Sequence, residues 1–198
     1  MKPFLVLLLS SVSVLAFPVF AELSKGELAP DFNAQAALDG REFTYSLRES
    51  LAKGPVVIYF YPAAYTGGCN IQARTFAVKA EHFADAGASV IGVSLDGIER
   101  LKDFSADPEY CGGKVPVASD QSGEIATAYG VGINATYKDQ PVAQLKNSRG
   151  EMIGHDMTDR TTFVVAPDGR IAATIANVSP KENVERALEV VEGLRDKP

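Results

Sequence analysis

Residues 55–69 read PVVIYFYPAAYTGGC, and the fold turns on them. The first seven, Pro55 to Tyr61, form an unbroken β-branched and aromatic run, the pattern of a strand buried on both faces. Pro62 ends that strand, because a proline has no N–H to give a ladder. Four residues on, Thr66 has the chemistry of a helix N-cap. The spacing that follows predicts a helix from Thr66 to about Ala86, with Phe76, Ala80, Phe83 and Ala84 on one face.

Working outward, Ser89 to Leu95 (SVIGVSL) is a second buried strand. The segment from Gly97 is helical, with Ile98, Leu101 and Phe104 aligned, and ends before Pro108. Upstream, residues 31–44 form a hairpin around Asp39-Gly40, a strong two-residue turn signal. Downstream come a short strand at Val115 to Ala118 and a short helix at Glu124 to Tyr129. Residues 132–158 lack periodicity and are expected to be an irregular excursion or an extra hairpin. Thr161 to Val165 and Ile171 to Ile175 flank Pro167-Asp168-Gly169-Arg170 and read as an antiparallel pair. Ser179, Pro180 and Glu182 make a capping box for a last helix whose buried stripe is Val184, Ala187, Leu188 and Val191. The order is hairpin, βαβα, hairpin, helix. It argues for an α/β sandwich with a mixed central sheet flanked by helices, as in a thioredoxin-like fold.

Lys2 followed by the apolar run Phe4 to Phe20 reads as an export leader, and Val19 and Ala21 supply the small residues of a cleavage site. The expectation is a cleavable signal peptide over residues 1–21, a single domain over 22–198, and a periplasmic location. An uncleaved membrane anchor is the competing reading. Removing Lys2, the one charged residue among the first 21, makes the net charge of −6 one unit more negative. No basic block survives to hold nucleic acid or an anionic membrane, so neither is expected as a partner of the mature form. Cys69 and Cys111 are the only cysteines, too far apart in sequence for a CxxC motif. In an exported chain the bland reading is one structural disulfide. His82 and His155 lack metal-ligand spacing and read as structural or solvated; no metal or cofactor is expected.

A cysteine is nucleophilic only as the thiolate. Cys69 stands in the first turn after Thr66, where unpaired N–H groups and the positive end of the helix dipole favour an anion. Gly67 and Gly68 leave room for a small substrate to approach, and Pro62 is placed to shield the sulfur from bulk water. Alone, a cysteine so placed is more often a small buried hydrophobe than a nucleophile.

Pro62, Thr66 and Cys69 together spell P-x-x-x-T-x-x-C, which resembles the active-site motif of the peroxiredoxins. GELAPDF near the mature start and Arg160 in RTTFVVAPDGRI extend the likeness from about Gly26 to the last helix. The pattern is most similar to the bacterioferritin comigratory, or Q-type, subfamily. The resemblance implies that Cys69 is the peroxidatic nucleophile, that Thr66 hydrogen-bonds the thiolate or the peroxide, and that Arg160 stabilises the charge. It implies hydroperoxide substrates, a thioredoxin-like or other thiol reductant, and a monomer. Two positions depart from the pattern. Arg74 occupies the usual resolving position, and Gln72 stands where an acidic residue is common. Cys111 is then the candidate resolving cysteine, with Gly112 and Gly113 beside it. A one-Cys mechanism, and a non-catalytic domain with a structural Cys69–Cys111 bridge, remain the alternatives.

Overall fold

The structure, a computed structural model, describes residues 22–195; the leader read from residues 1–21 lies outside the described residues. Strands β1 (Asn33–Leu38) and β2 (Arg41–Ser46) pair with Leu38 opposite Arg41. Asp39 and Gly40 are therefore the whole turn, and their φ of 51° and 73° are the two left-handed residues that a type I′ hairpin requires. Helix α1 (Leu47–Leu51) is one turn that the sequence reading did not contain. It begins where Ser46 Oγ accepts from the Glu49 N–H, and it buries Leu47.

Then follow β3 (Val56–Phe60), α2 (Gly67–Asp85), β4 (Ser89–Ser94) and α3 (Ile98–Ala106). Next are β5 (Val117–Ser119) and α4 (Glu124–Ala128). The excursion holds β6 (Ile133–Asn134), the small hairpin β7 (Thr136–Tyr137) and β8 (Gln140–Pro141), a 3₁₀ turn at Val142–Gln144, and β9 (Met157–Thr158), which pairs back with β6. The chain closes with β10 (Thr161–Val165), β11 (Ile171–Ala176) and α5 (Pro180–Arg195). Ser179 Oγ caps α5 by accepting from the Glu182 N–H at 3.2 Å.

Seven strands form one mixed sheet in the order β11-β10-β3-β4-β5-β1-β2. The β3–β4 and β4–β5 pairs are parallel and the others antiparallel. Because side chains alternate across a strand, β3 feeds two cores. Val56, Ile58 and Phe60 join Leu47, Tyr129 and Phe163 on one face. Val57, Tyr59 and Tyr61 join Phe76, Phe83, Phe104 and Val191 on the other, beneath α2, α3 and α5. The unbroken apolar run was the right signal for a strand with no solvent face. Both cysteines lie in the second core.

Candidate active site

Cys69 is the third residue of α2 and only 2% exposed. The loop between Tyr61 and Thr66 that delivers it is held from several sides. Thr158 Oγ1 donates to the Tyr61 carbonyl at 3.0 Å, and the Ala64 N–H donates to Asp96 Oδ2 at 2.7 Å. Tyr65 takes a left-handed φ of 61°, unusual for a bulky side chain, and so turns the chain sharply into the helix. Thr66 is the N-cap by backbone geometry. Its hydroxyl does not cap an N–H; it donates to the Ala63 carbonyl at 2.8 Å. With its proton engaged there, the oxygen keeps its lone pairs for an incoming O–H.

Arg160 immediately precedes β10, whose first residue Thr161 pairs with Phe60 at the end of β3. Its guanidinium reaches across to the start of α2, where Nη2 donates to Cys69 Sγ at 3.4 Å. The other arm, Nη1, donates to Gln72 Oε1. Gln72 Nε2 donates in turn to Asn183 Oδ1 at 2.8 Å. The guanidinium can only donate, so the sulfur is the acceptor of this bond.

In front of this group opens a cavity of about 780 Å³. Pro62, Thr66, Gly68 and Arg160 line its inner side, and Leu145, Ile153 and Met157 of the excursion line its outer side. Ala63, Val142 and Ile153 form a small third core that fastens the excursion to the active-site loop. A buried charge cluster fastens it again. Asp96, wholly buried, accepts from Ser94 Oγ, Arg100 Nη1 and, at 2.9 Å, His155 Nε2. Arg100 also donates to the Met152 and Ile153 carbonyls. Burial opposes charge on Asp96, but His155, the Ala64 N–H and Arg100 outweigh it and hold the carboxyl below its ordinary range. Burial likewise opposes charge on His155, and Asp96 outweighs it, raising the imidazole.

Cys111 is elsewhere. It follows α3, is wholly buried, and is a free thiol that is not near Cys69. Burial, aided by the Asp107 carboxylate, pushes its thiol well up, so in this state it is held protonated. Gly112 and Gly113, with φ of 58° and 69°, form the turn beside it. Two arginines hold that turn in place. Arg74 Nη1 donates to the Pro108 carbonyl at 2.9 Å, and Arg149 Nη2 donates to Asp107 at 2.8 Å while lying 3.7 Å over the Tyr65 ring.

Of the residues read from the sequence, Pro62, Thr66, Cys69 and Arg160 are brought together, and Cys111 is set apart. Gln72 had been noted only as a departure. Asn183, Thr162, Asp96 and Arg149 had not been singled out. Asn183 did carry a signal: it is a polar residue one position ahead of Val184 and four ahead of Ala187, on the edge of an apolar stripe. His82 is solvated and His155 is structural, tied into the Asp96 cluster, both within the expectation.

A thiol seated at a helix start, faced by a guanidinium and floored by a thioredoxin-like sheet, defines a cysteine-dependent redox protein. The AhpC/TSA family model matches residues 25–174, and the chain belongs to that family of peroxiredoxins, which are thiol peroxidases. Chloroplastic peroxiredoxin Q of Sedum lineare is 28% identical over 180 residues, covering 89% of this chain and 82% of that one. The crystal structure of peroxidoxin BcpB from Mycobacterium tuberculosis superposes with a TM-score of 0.70 at 28% identity, covering 88% of this chain and 99% of that one. Xanthomonas campestris peroxiredoxin Q, at 23% identity and a TM-score of 0.62 over 82% of this chain and 91% of that one, shares the fold. The first two likenesses support the Q-type and bacterioferritin-comigratory branch of the family.

Proposed function

We propose that the chain reduces hydroperoxides through Cys69. The observation that carries the reading is the Arg160 Nη2 contact on Cys69 Sγ at the start of α2. The thiolate attacks the terminal oxygen of ROOH, the O–O bond breaks, and RO⁻ leaves and takes a proton to become the alcohol. Cys69 is left as the sulfenic acid. Arg160 stabilises the charge that moves onto the departing oxygen. Thr66 Oγ1, whose proton is engaged with Ala63, accepts from the peroxide O–H. The cavity in front of Pro62 and Arg160 admits substrates larger than hydrogen peroxide, so organic hydroperoxides are included.

Cys111 then attacks the sulfenic sulfur, releasing water and forming an intramolecular disulfide. A thioredoxin-like dithiol returns both cysteines to thiols by exchange. The two thiols start apart and buried, so resolution requires the first turn of α2 and the turn at Cys111 to open. Local opening of a helix end costs far less than global unfolding. The protein acts as a monomer and is exported, with Glu22 as its mature first residue.

One experiment tests the chemistry. Reduced protein is treated with one equivalent of peroxide, free thiols are blocked, and peptides are mapped by mass spectrometry. A Cys69–Cys111 peptide is expected, with turnover abolished in Cys69→Ser. Sulfenic or sulfinic acid on Cys69 with Cys111 still alkylatable would give a one-Cys peroxidase instead. Wild-type turnover in Cys69→Ser would overturn the whole reading.

A further inference from the structure

An arginine can donate in many directions, so something must aim Arg160. Its guanidinium only donates, and Nη1 is accepted by Gln72 Oε1. A primary amide can present either its oxygen or its nitrogen, and a flipped Gln72 would set N–H against N–H. The flip is prevented from the other side, because Gln72 Nε2 donates to Asn183 Oδ1. Asn183 cannot flip either. Its Nδ2 donates at 3.0 Å to the Ile175 carbonyl, a backbone group that only accepts. Thr162 Oγ1 donates at 2.5 Å to Asn183 Oδ1 from the adjacent strand.

The chain of bonds thus runs one way, from a donor-only cation to an acceptor-only carbonyl. Gln72, Thr162 and Asn183 are all wholly buried, so bulk water cannot substitute for a lost link. Every member beyond Arg160 is neutral. A carboxylate at position 72 would share the guanidinium charge; an amide orients it and leaves the full charge facing the sulfur.

We propose that Gln72 and Asn183 form a neutral amide relay that aims Arg160 at Cys69, which makes Asn183, on the last helix, a positioning residue for the peroxide reaction. The role rests on Cys69 being the peroxide-reacting group.

Two readouts test it: the second-order rate of peroxide consumption, and the pH profile of Cys69 alkylation by iodoacetamide, followed on the Cys69 peptide. In Asn183→Leu the Gln72 amide loses its fixed sense. The peroxide rate should fall on the order of tenfold, the scale of one hydrogen bond to a charged group, and the alkylation profile should move to higher pH. Val184→Ala removes neighbouring buried volume without touching the relay, and should destabilise the fold while keeping the wild-type rate.

Should Asn183→Leu fail to fold, Asn183→Asp decides. While protonated, the new carboxyl can donate to Ile175 and accept from Gln72, as the amide does. Once ionised it has no proton to donate and adds a negative charge behind Arg160. Its rate relative to wild type should therefore be highest at acidic pH and fall as pH rises. Folded variants with wild-type rates and unshifted alkylation profiles would overturn the relay. If the wild-type protein itself consumed no peroxide, the peroxidase reading would fail, and the alkylation profiles would still decide the relay.

Discussion

Gly68 shows how narrow the tolerance is around the sulfur. A β-carbon there would stand 2.9 Å from Arg160 Nη2 and 3.4 Å from Pro180 Cγ. The guanidinium, not the substrate, occupies the space that the missing side chain leaves. Gly68→Ala sets two effects against each other. Alanine favours a helix over glycine by about 1 kcal/mol, so the melting temperature should hold or rise slightly. The displaced guanidinium should lose its bond to Cys69, and peroxide turnover should drop roughly tenfold. Thermal melts and stopped-flow rates on one preparation check both signs; turnover unchanged would mean that Arg160 relocates without loss. At this scale the sequence was informative where a motif resembling a known family gathers the residues, as at Cys69, Thr66 and Arg160. It was silent on Thr162 and Asp96, because what they do depends on partners 21 and 59 residues away.

Among the elements, those with local signals were legible: the β3 apolar run, the Asp39-Gly40 turn, the Ser179 capping box. Helix α1 was missed because one turn shows no periodicity. The excursion was unreadable because it is organised by long-range ties to Ala63, Tyr65 and Asp96, not by its own pattern. Those ties make it pH-sensitive. Asp96 titrates below its ordinary range, so its contribution to stability is present above about 3.9 and is lost as pH falls through the lowered value. His155 titrates above its ordinary range, so its contribution is full below about 6.5 and is lost as pH rises through the raised value. Hydrogen exchange corrected for intrinsic rates should therefore show residues 151–156 best protected in mildly acidic solution and loosening on the alkaline side. Asp96→Asn should flatten that profile. A wild-type profile already flat from mild acid to alkali would show that His155 contributes nothing to the fastening.

For the whole molecule, the mixed sheet and its two cores followed from one rule, that β3 has no solvent face. The alternation of elements indicated a mixed sheet but not the order of its strands, which rests on the observed pairings. Among the described residues, the first two are already tied to the sheet. Glu22 Oε1 accepts from Thr161 Oγ1 at 2.7 Å, and the Leu23 carbonyl accepts from Thr174 Oγ1 at 2.5 Å. Cleavage after Ala21 would keep both bonds. Intact mass of the exported protein should match a chain beginning at Glu22, and a variant beginning at Ser24 should lose about 1–3 kcal/mol of stability by denaturant titration. A full-length mass recovered with the cytosolic fraction would refute the export proposal. Tyr65 adds something about timing. A bulky residue held at φ 61° carries strain of about 1–3 kcal/mol, kept in place by its ring contacts with Phe104, Tyr110 and Arg149. If resolution by Cys111 unwinds the first turn of α2, as proposed, that strain would be released and would offset part of the cost of opening. On the proposed two-Cys mechanism the reduced protein thus waits partly cocked: the distortion would raise the resting state towards the barrier for disulfide formation, making exposure of the sulfur after oxidation quicker than an unstrained helix start would allow.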